Sequence, residues 1–187
     1  MRVLFLAVLL AGCASSQPAA TASGPARTLL ASITITESAF KGPVRRKTGF
    51  EFLVVDAPPR DGGPILEGRE FRDGKLVDSF DFGSSSTRIA AIEQVGLTPF
   101  DFDREVADAT ERARKQAEER GETFLHGARD GAQWEIVIVT KSGRFSLRAW
   151  NPVAEVDALA PYSENLAKLK AVIDLLVQDY GRYRMGF

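Results

Sequence analysis

From Leu29 to Thr36 the chain reads LLASITIT. Ala31, Ile33 and Ile35 fall on one side and Ser32, Thr34 and Thr36 on the other, which is the two-residue period of a half-buried strand. The stretch Gly49 to Val55, GFEFLVV, is rich in aromatic and β-branched residues and reads as a second strand. Pro58-Pro59-Arg60-Asp61-Gly62-Gly63-Pro64 then forbids regular structure. ILEGREFR and KLVDSFDF follow, joined by Asp73-Gly74, a pair suited to a type I′ turn because both central positions need positive φ. A second hairpin is expected where QWEIVIVT meets RFSLRAW across Lys141-Ser142-Gly143. In it Trp134, Ile136 and Ile138 alternate with Glu135, Val137 and Val139, and Asn151-Pro152 ends the pairing.

Two segments carry a helical period instead. Thr98-Pro99-Phe100-Asp101 reads as an N-terminal capping sequence, with Asp101 or Asp103 able to cap a slightly later start, and Gly121 should end that helix. Its apolar stripe, Val106, Ala109, Ala113 and Ala117, is thin, and Asp108/Arg112 and Glu111/Lys115 are spaced as ion pairs. The last helix begins at a Ser163 cap and should end at Gly181. Leu166, Leu169, Ile173, Leu176 and Tyr180 share one face, broadened by Val172 and Leu175. These elements predict an α+β fold: an antiparallel sheet of about six strands packed by two main helices, the C-terminal one on the sheet face.

The 187 residues, 44% hydrophobic and 26% charged, suit one domain with a substantial core. A formal net charge of −1 argues against a nucleic-acid binder, which would show a strongly basic face. Before that domain, MRVLFLAVLLAGCASS has an early Arg2, an apolar run and small residues around the only cysteine, the layout of a targeting segment too short to span a bilayer. Leu10-Ala11-Gly12-Cys13 closely resembles the lipobox of bacterial lipoproteins. The resemblance covers about the first sixteen residues. It implies cleavage before Cys13 and lipid on that cysteine, which leaves no free sulfur for a disulfide, a metal or a nucleophile. It also implies sorting to the outer membrane, since Ala14 rather than an aspartate follows. The expected organisation is a signal peptide over 1–12, a lipidated cysteine and small, polar tether over 13–27, and a single domain over 28–187.

Candidate chemistry is sparse. FGSSSTR leaves one alternating segment and enters IAAIEQV. If Ser86 to Val95 is a short helix closed by Gly96, then Ser84, Ser85, Ser86, Thr87 and Arg88 lie at a helix N-terminus, where free N–H groups favour an anion. The same serines also suit a plain helix cap. A nucleophilic serine needs a base, and the only histidine, His126, has no sequence reason to approach. His126 also lacks a second histidine or free cysteine beside it for zinc, so no metal site and no cofactor are expected. Asp81-Phe82-Gly83 matches a kinase triplet by chance, because the glycine-rich and catalytic loops are missing. The acids Asp56, Asp78 and Asp81 could converge as a glycosidase-like group, although alternation on strands places acids outward.

Two further stretches suggest contact surfaces. Lys41-Gly42-Pro43-Val44-Arg45-Arg46-Lys47 reads as a basic hairpin loop able to meet phosphates or an acidic protein. The tail from Tyr180 to Phe187, with Tyr183 and a terminal Phe187, resembles the end signal of outer-membrane β-barrels, yet the chain lacks the strand series of a barrel. The expected function is a non-enzymatic envelope lipoprotein, held to the membrane by lipid on Cys13, whose domain binds an envelope protein, a cell-wall component or lipid through Arg45, Arg46, Lys47, Tyr183 and Phe187. The alternative is a periplasmic anion-binding or small-ligand protein, or a hydrolase, using the turn from Ser84 to Arg88.

Overall fold

The computed structural model describes residues 26–38, 45–56, 64–84, 86–125 and 132–177. Cys13, His126, Tyr180, Gly181, Tyr183 and Phe187 lie outside them, as does Ser85. Six strands form one antiparallel sheet: β1 (Arg27–Ser38), β2 (Arg45–Val55), β3 (Ile65–Arg72), β4 (Lys75–Ser84), β5 (Gln133–Thr140) and β6 (Gly143–Trp150). Their order across the sheet is β4-β3-β2-β1-β5-β6, so the fifth strand returns to pair with the first. The first hairpin turn behaves as its residues dictate. Asp73 and Gly74 both have positive φ, and Asp73 also receives Lys47 N–H on its carboxylate at 3.1 Å while donating its own N–H to Lys47 O at 2.8 Å. The first hairpin turn is thereby clipped to the start of β2.

Among the described residues there are four helices where the sequence reading had two main ones: α1 (Ser86–Val95), α2 (Phe102–Glu119), α3 (Pro152–Leu159) and α4 (Glu164–Val177), with a 3-10 turn at Ala160–Tyr162. Helix α2 starts where its acid allows, since Asp101 accepts Arg104 N–H at 3.1 Å, and it ends before Gly121 at φ 70°. Helix α3 was missed because its eight residues are too few to show a period. It begins instead from Pro152 in the first helical position after Asn151 in the left-handed region.

The core explains the strand phases. On the inner face, adjacent strands place Phe145, Ile138, Ala31, Phe52, Gly68 and Phe80 in one row, so large residues flank small ones. A second row runs Leu147, Ile136, Ile33 and Phe50 and then reaches Glu70 and Asp78. These apolar residues share one cluster with Ile92 of α1, Phe102, Ala109 and Ala113 of α2, Val156 and Leu159 of α3, and Leu166, Leu169, Val172, Ile173 and Leu176 of α4. Near its start β1 has a bulge between Leu29 and Ala31, and both Leu30 and Ala31 are buried in this cluster.

Helix α2 is fastened to the α4 entrance by a polar cluster. Glu105 accepts Ser163 O–H at 2.7 Å, Asn165 N–H at 3.0 Å and Arg112 N–H at 3.1 Å, and Arg112 also donates to Tyr162 O at 2.6 Å. Ser163 in turn accepts Leu166 N–H at 3.1 Å, which is the expected cap of α4. The expected pairs on α2 are replaced: Arg112 serves Glu105 rather than Asp108, Asp108 faces Arg104 at 3.9 Å, and Glu111 pairs with Arg114 rather than Lys115.

Those hydrogen bonds, first from Asn165 and then from Ser163, hold the Glu105 carboxyl below its ordinary value of 4.5 against the opposing effect of burial, with Arg112 adding to them. The folded state therefore ionises Glu105 more readily than the unfolded chain. Its contribution to stability is complete above about pH 4.5 and fades as the pH falls through the lower folded value. Replacing Glu105 with Gln is expected to lower stability at pH 7 by about 1 to 3 kcal/mol and to flatten the acid limb of a stability-against-pH curve below that point. Urea titrations at a series of pH values measure both effects; an unchanged acid limb would remove Glu105 from the account.

Candidate binding surfaces

The turn from Ser84 to Arg88 sits where a strand hands over to a helix. Ser84 is the last residue of β4 and Ser86 the first of α1, as the helical reading required, and Gly96 closes α1 at φ 65°. Thr87 is exposed. Arg88 is half-buried and its guanidinium lies 5.1 Å from the centre of the Phe82 ring, in the range of a cation–π contact. Phe82 in turn meets Phe80 edge-on at 4.9 Å and stacks near Phe52 at 6.2 Å. The arginine of the candidate anion site is thus engaged in joining α1 to the aromatic part of the sheet.

The basic run is corrected. Arg45, Arg46 and Lys47 are not a loop but the first residues of β2, paired with Ser38, Glu37 and Thr36 of β1. Arg46 and Lys47 are exposed. Because neighbouring strand residues point to opposite faces, Arg46 and Lys47 project from opposite sides of the sheet. The three acids are also separated. Asp56 is exposed just beyond β2, while Asp78 pairs with Glu70 and Asp81 with Glu67, two residues of β3 that lie on opposite faces. A convergent carboxylate group does not form from them.

The buried acid that sequence reasoning missed is Glu70, only 3% exposed, which accepts Arg72 Nε at 2.9 Å. Its signal is present in ILEGREFR, where Leu66, Gly68 and Glu70 share one alternating phase. Among the described residues, no group of three or more His, Cys, Asp or Glu side chains is placed to hold a metal ion. No helix among them is long and apolar enough to cross a membrane.

The second face of the sheet has a different character. Ser32, Thr34, Glu51, Glu67, Arg69, Glu135, Ser146 and Arg148 point away from the core by alternation, and Trp150 on the same side is 47% exposed. Glu67 binds Arg69 at 2.6 Å and Arg27 at 3.1 Å, and Glu135 faces Arg148 at 3.5 Å. Leu53 and Val55 are buried on this side near the Arg27 end. Three recesses are lined by described residues. One, of about 620 Å³, lies between α2 and the start of α4 beside Lys115, Gln116, Tyr162 and Glu164. The other two lie over the outer face, one of about 380 Å³ at Arg27, Glu67 and Asp81 and one of about 200 Å³ above Gly49. The first recess belongs to the helix junction that Glu105 fastens, whereas the latter two open onto the broad polar sheet surface. Comparison with known proteins found no matching family model, no matching curated protein and no matching solved structure.

Proposed function

We propose that this chain is a non-enzymatic envelope lipoprotein, anchored in the outer membrane by lipid on Cys13, whose domain binds another envelope component on the periplasmic side. The lipobox-like Leu10-Ala11-Gly12-Cys13 supports the anchor, and Ala14 supports the destination. Several acyl chains hold a protein at a bilayer far better than one. The observation that carries the binding role is the outer face of the sheet. Buried residues from each of the four helices share one cluster with the inner-face strand residues, while the outer face carries hydroxyls, charged side chains and the half-exposed Trp150. A six-stranded sheet is about 24 Å wide, which is enough for a macromolecular contact.

The first described strand begins at Arg27, so the lipid-bearing segment precedes that end of β1. Replacing Cys13 with Ser is expected to abolish incorporation of labelled palmitate and to move the protein from the outer-membrane fraction to the soluble periplasm. In-cell crosslinking followed by mass spectrometry should then lose its specific adducts. Wild-type protein without palmitate would refute the anchor; adducts that survive the Cys13→Ser change would separate binding from anchoring.

A further inference from the structure

The recess above Gly49 is a gap in the outer sheet face. Across the strands, Glu135, Thr34, Gly49, Phe71 and Leu76 stand in one outward row, and only the central position has no side chain. Along β2, Lys47 and Glu51 flank the gap two residues to either side, about 7 Å away each. Ser32 and Thr34 border it from β1 and the half-buried Phe71 from β3. The resulting notch holds about 200 Å³. Its polar walls are not consumed by the protein: the side chains of Ser32, Thr34, Lys47 and Glu51 make no hydrogen bond or ion pair among the described residues.

We infer that this notch seats one sugar ring of an envelope glycan that lies along the outer sheet face, a reading that rests on the envelope location proposed above for the choice of glycan. The volume is smaller than the roughly 300 to 1,000 Å³ of a pocket that encloses a whole small molecule. It therefore suits a single unit of a longer chain. The wall chemistry is that of a ring with one apolar side and a polar rim. Phe71 offers its ring to C–H groups, the Ser32 and Thr34 hydroxyls both donate and accept, Glu51 accepts from sugar hydroxyls, and Lys47 donates to an acetyl or carboxylate oxygen. An apolar knob from a protein partner would instead leave these polar groups desolvated without partners, at about 1 to 3 kcal/mol each. The notch lies about 20 Å along β1 from Arg27.

Gly49 supplies a test that spares the fold. A Cβ there would meet Phe71 Cβ at 3.7 Å and Thr34 Oγ1 at 3.9 Å, both ordinary contacts, so Gly49→Val fills the notch with a residue that favours strands. Full-length lipidated protein in detergent is titrated calorimetrically with muramidase-released cell-wall disaccharide fragments and, separately, with lipid-free lipopolysaccharide core oligosaccharide. Saturable binding to one of them, weakened at least tenfold in Gly49→Val and in Glu51→Gln with unchanged melting temperatures, is the expected result, and the arm that binds identifies the glycan. Binding to neither, or binding that both variants retain, overturns the inference. A protein partner that is captured by wild type and lost in Gly49→Val overturns it as well. If Gly49→Val does not fold, Glu51→Gln decides alone. Failure of the envelope reading has a separate signature, the absence of palmitate on Cys13.

Discussion

Phe52→Ala is expected to lower the free energy of unfolding by about 3 to 5 kcal/mol, the largest loss for any single truncation in the sheet. Phe52 is fully buried at the centre of the inner face. Its lateral neighbours are small, Ala31 on β1 and Gly68 on β3, the latter lying under the Phe80 ring. Neither small neighbour can expand into the vacated volume, and the flanking strands are fixed by their ladders. The removed side chain thus costs both its transfer free energy and a cavity. In a domain of this size each kcal/mol corresponds to about 2 to 4 °C in melting temperature, so a fall of roughly 10 °C is expected. Urea denaturation with an unchanged slope would confirm a pure stability effect. A loss below 1 kcal/mol would show that the helices close over the gap.

The reverse experiment, Gly68→Val, is expected to destabilise by about 1 to 3 kcal/mol, by crowding rather than by emptying. A Cβ at Gly68 would lie 2.0 Å from the Phe80 ring, so the ring must move before any side chain fits. Phe80 is not free to swing, because Phe82 meets it edge-on at 4.9 Å and Arg88 lies over Phe82. Backbone strain plays no part, since Gly68 is not among the glycines with positive φ. The cause can be isolated with Phe80→Ala: in that background Gly68→Val should cost far less than in wild type, a coupling of at least about 1 kcal/mol in a double-mutant cycle. Additive effects would mean that the clash is relieved elsewhere.

Gly68 and Gly49 show how far a strand pattern can be read. Both interrupt segments whose alternation is otherwise plain, and one-dimensional reading assigns each only to a face. The facing residue decides the outcome: Gly68 lies under the Phe80 ring, whereas Gly49 lies between Thr34 and Phe71, whose side chains leave it open. Glu70 follows the same logic. Its phase in β3 already placed it inward with Leu66, but its burial depends on the layer above the sheet. For Arg45 to Lys47, the proline and glycine just before them suggested a loop, yet pairing with Ser38, Glu37 and Thr36 extends both strands. Local propensity was outweighed by the partner strand.

Caps and turns behaved otherwise, because their physics is contained in a few adjacent residues. Asp73-Gly74 needs two positive φ angles and has them, Asp101 and Ser163 satisfy the first free N–H groups of α2 and α4, and Gly96 and Gly121 close the helices before them. The thin alanine stripe of α2 was equally visible, since helical spacing brings Ala109, Ala113 and Ala117 to one side without reference to any other element. Its ion pairs were not, because Arg112 has two nearby acids within reach on its own helix. Ser163 and Asn165 converge on Glu105, and Tyr162 O, far along the chain, holds Arg112 beside it.

The sequence by itself determined the six strands, the inward and outward phases of β1 and β5, the hairpin turns and the caps of the long helices, all of them patterns carried by residues close in the chain. The tertiary structure decided that β5 pairs with β1 and that the eight residues after Asn151 become helical. It also decided that Arg88 meets Phe82 and that a glycine in β2 opens a polar notch. Each of these depends on groups brought together from distant parts of the chain, where the burial of apolar surface across the whole core, rather than local propensity, selects the arrangement.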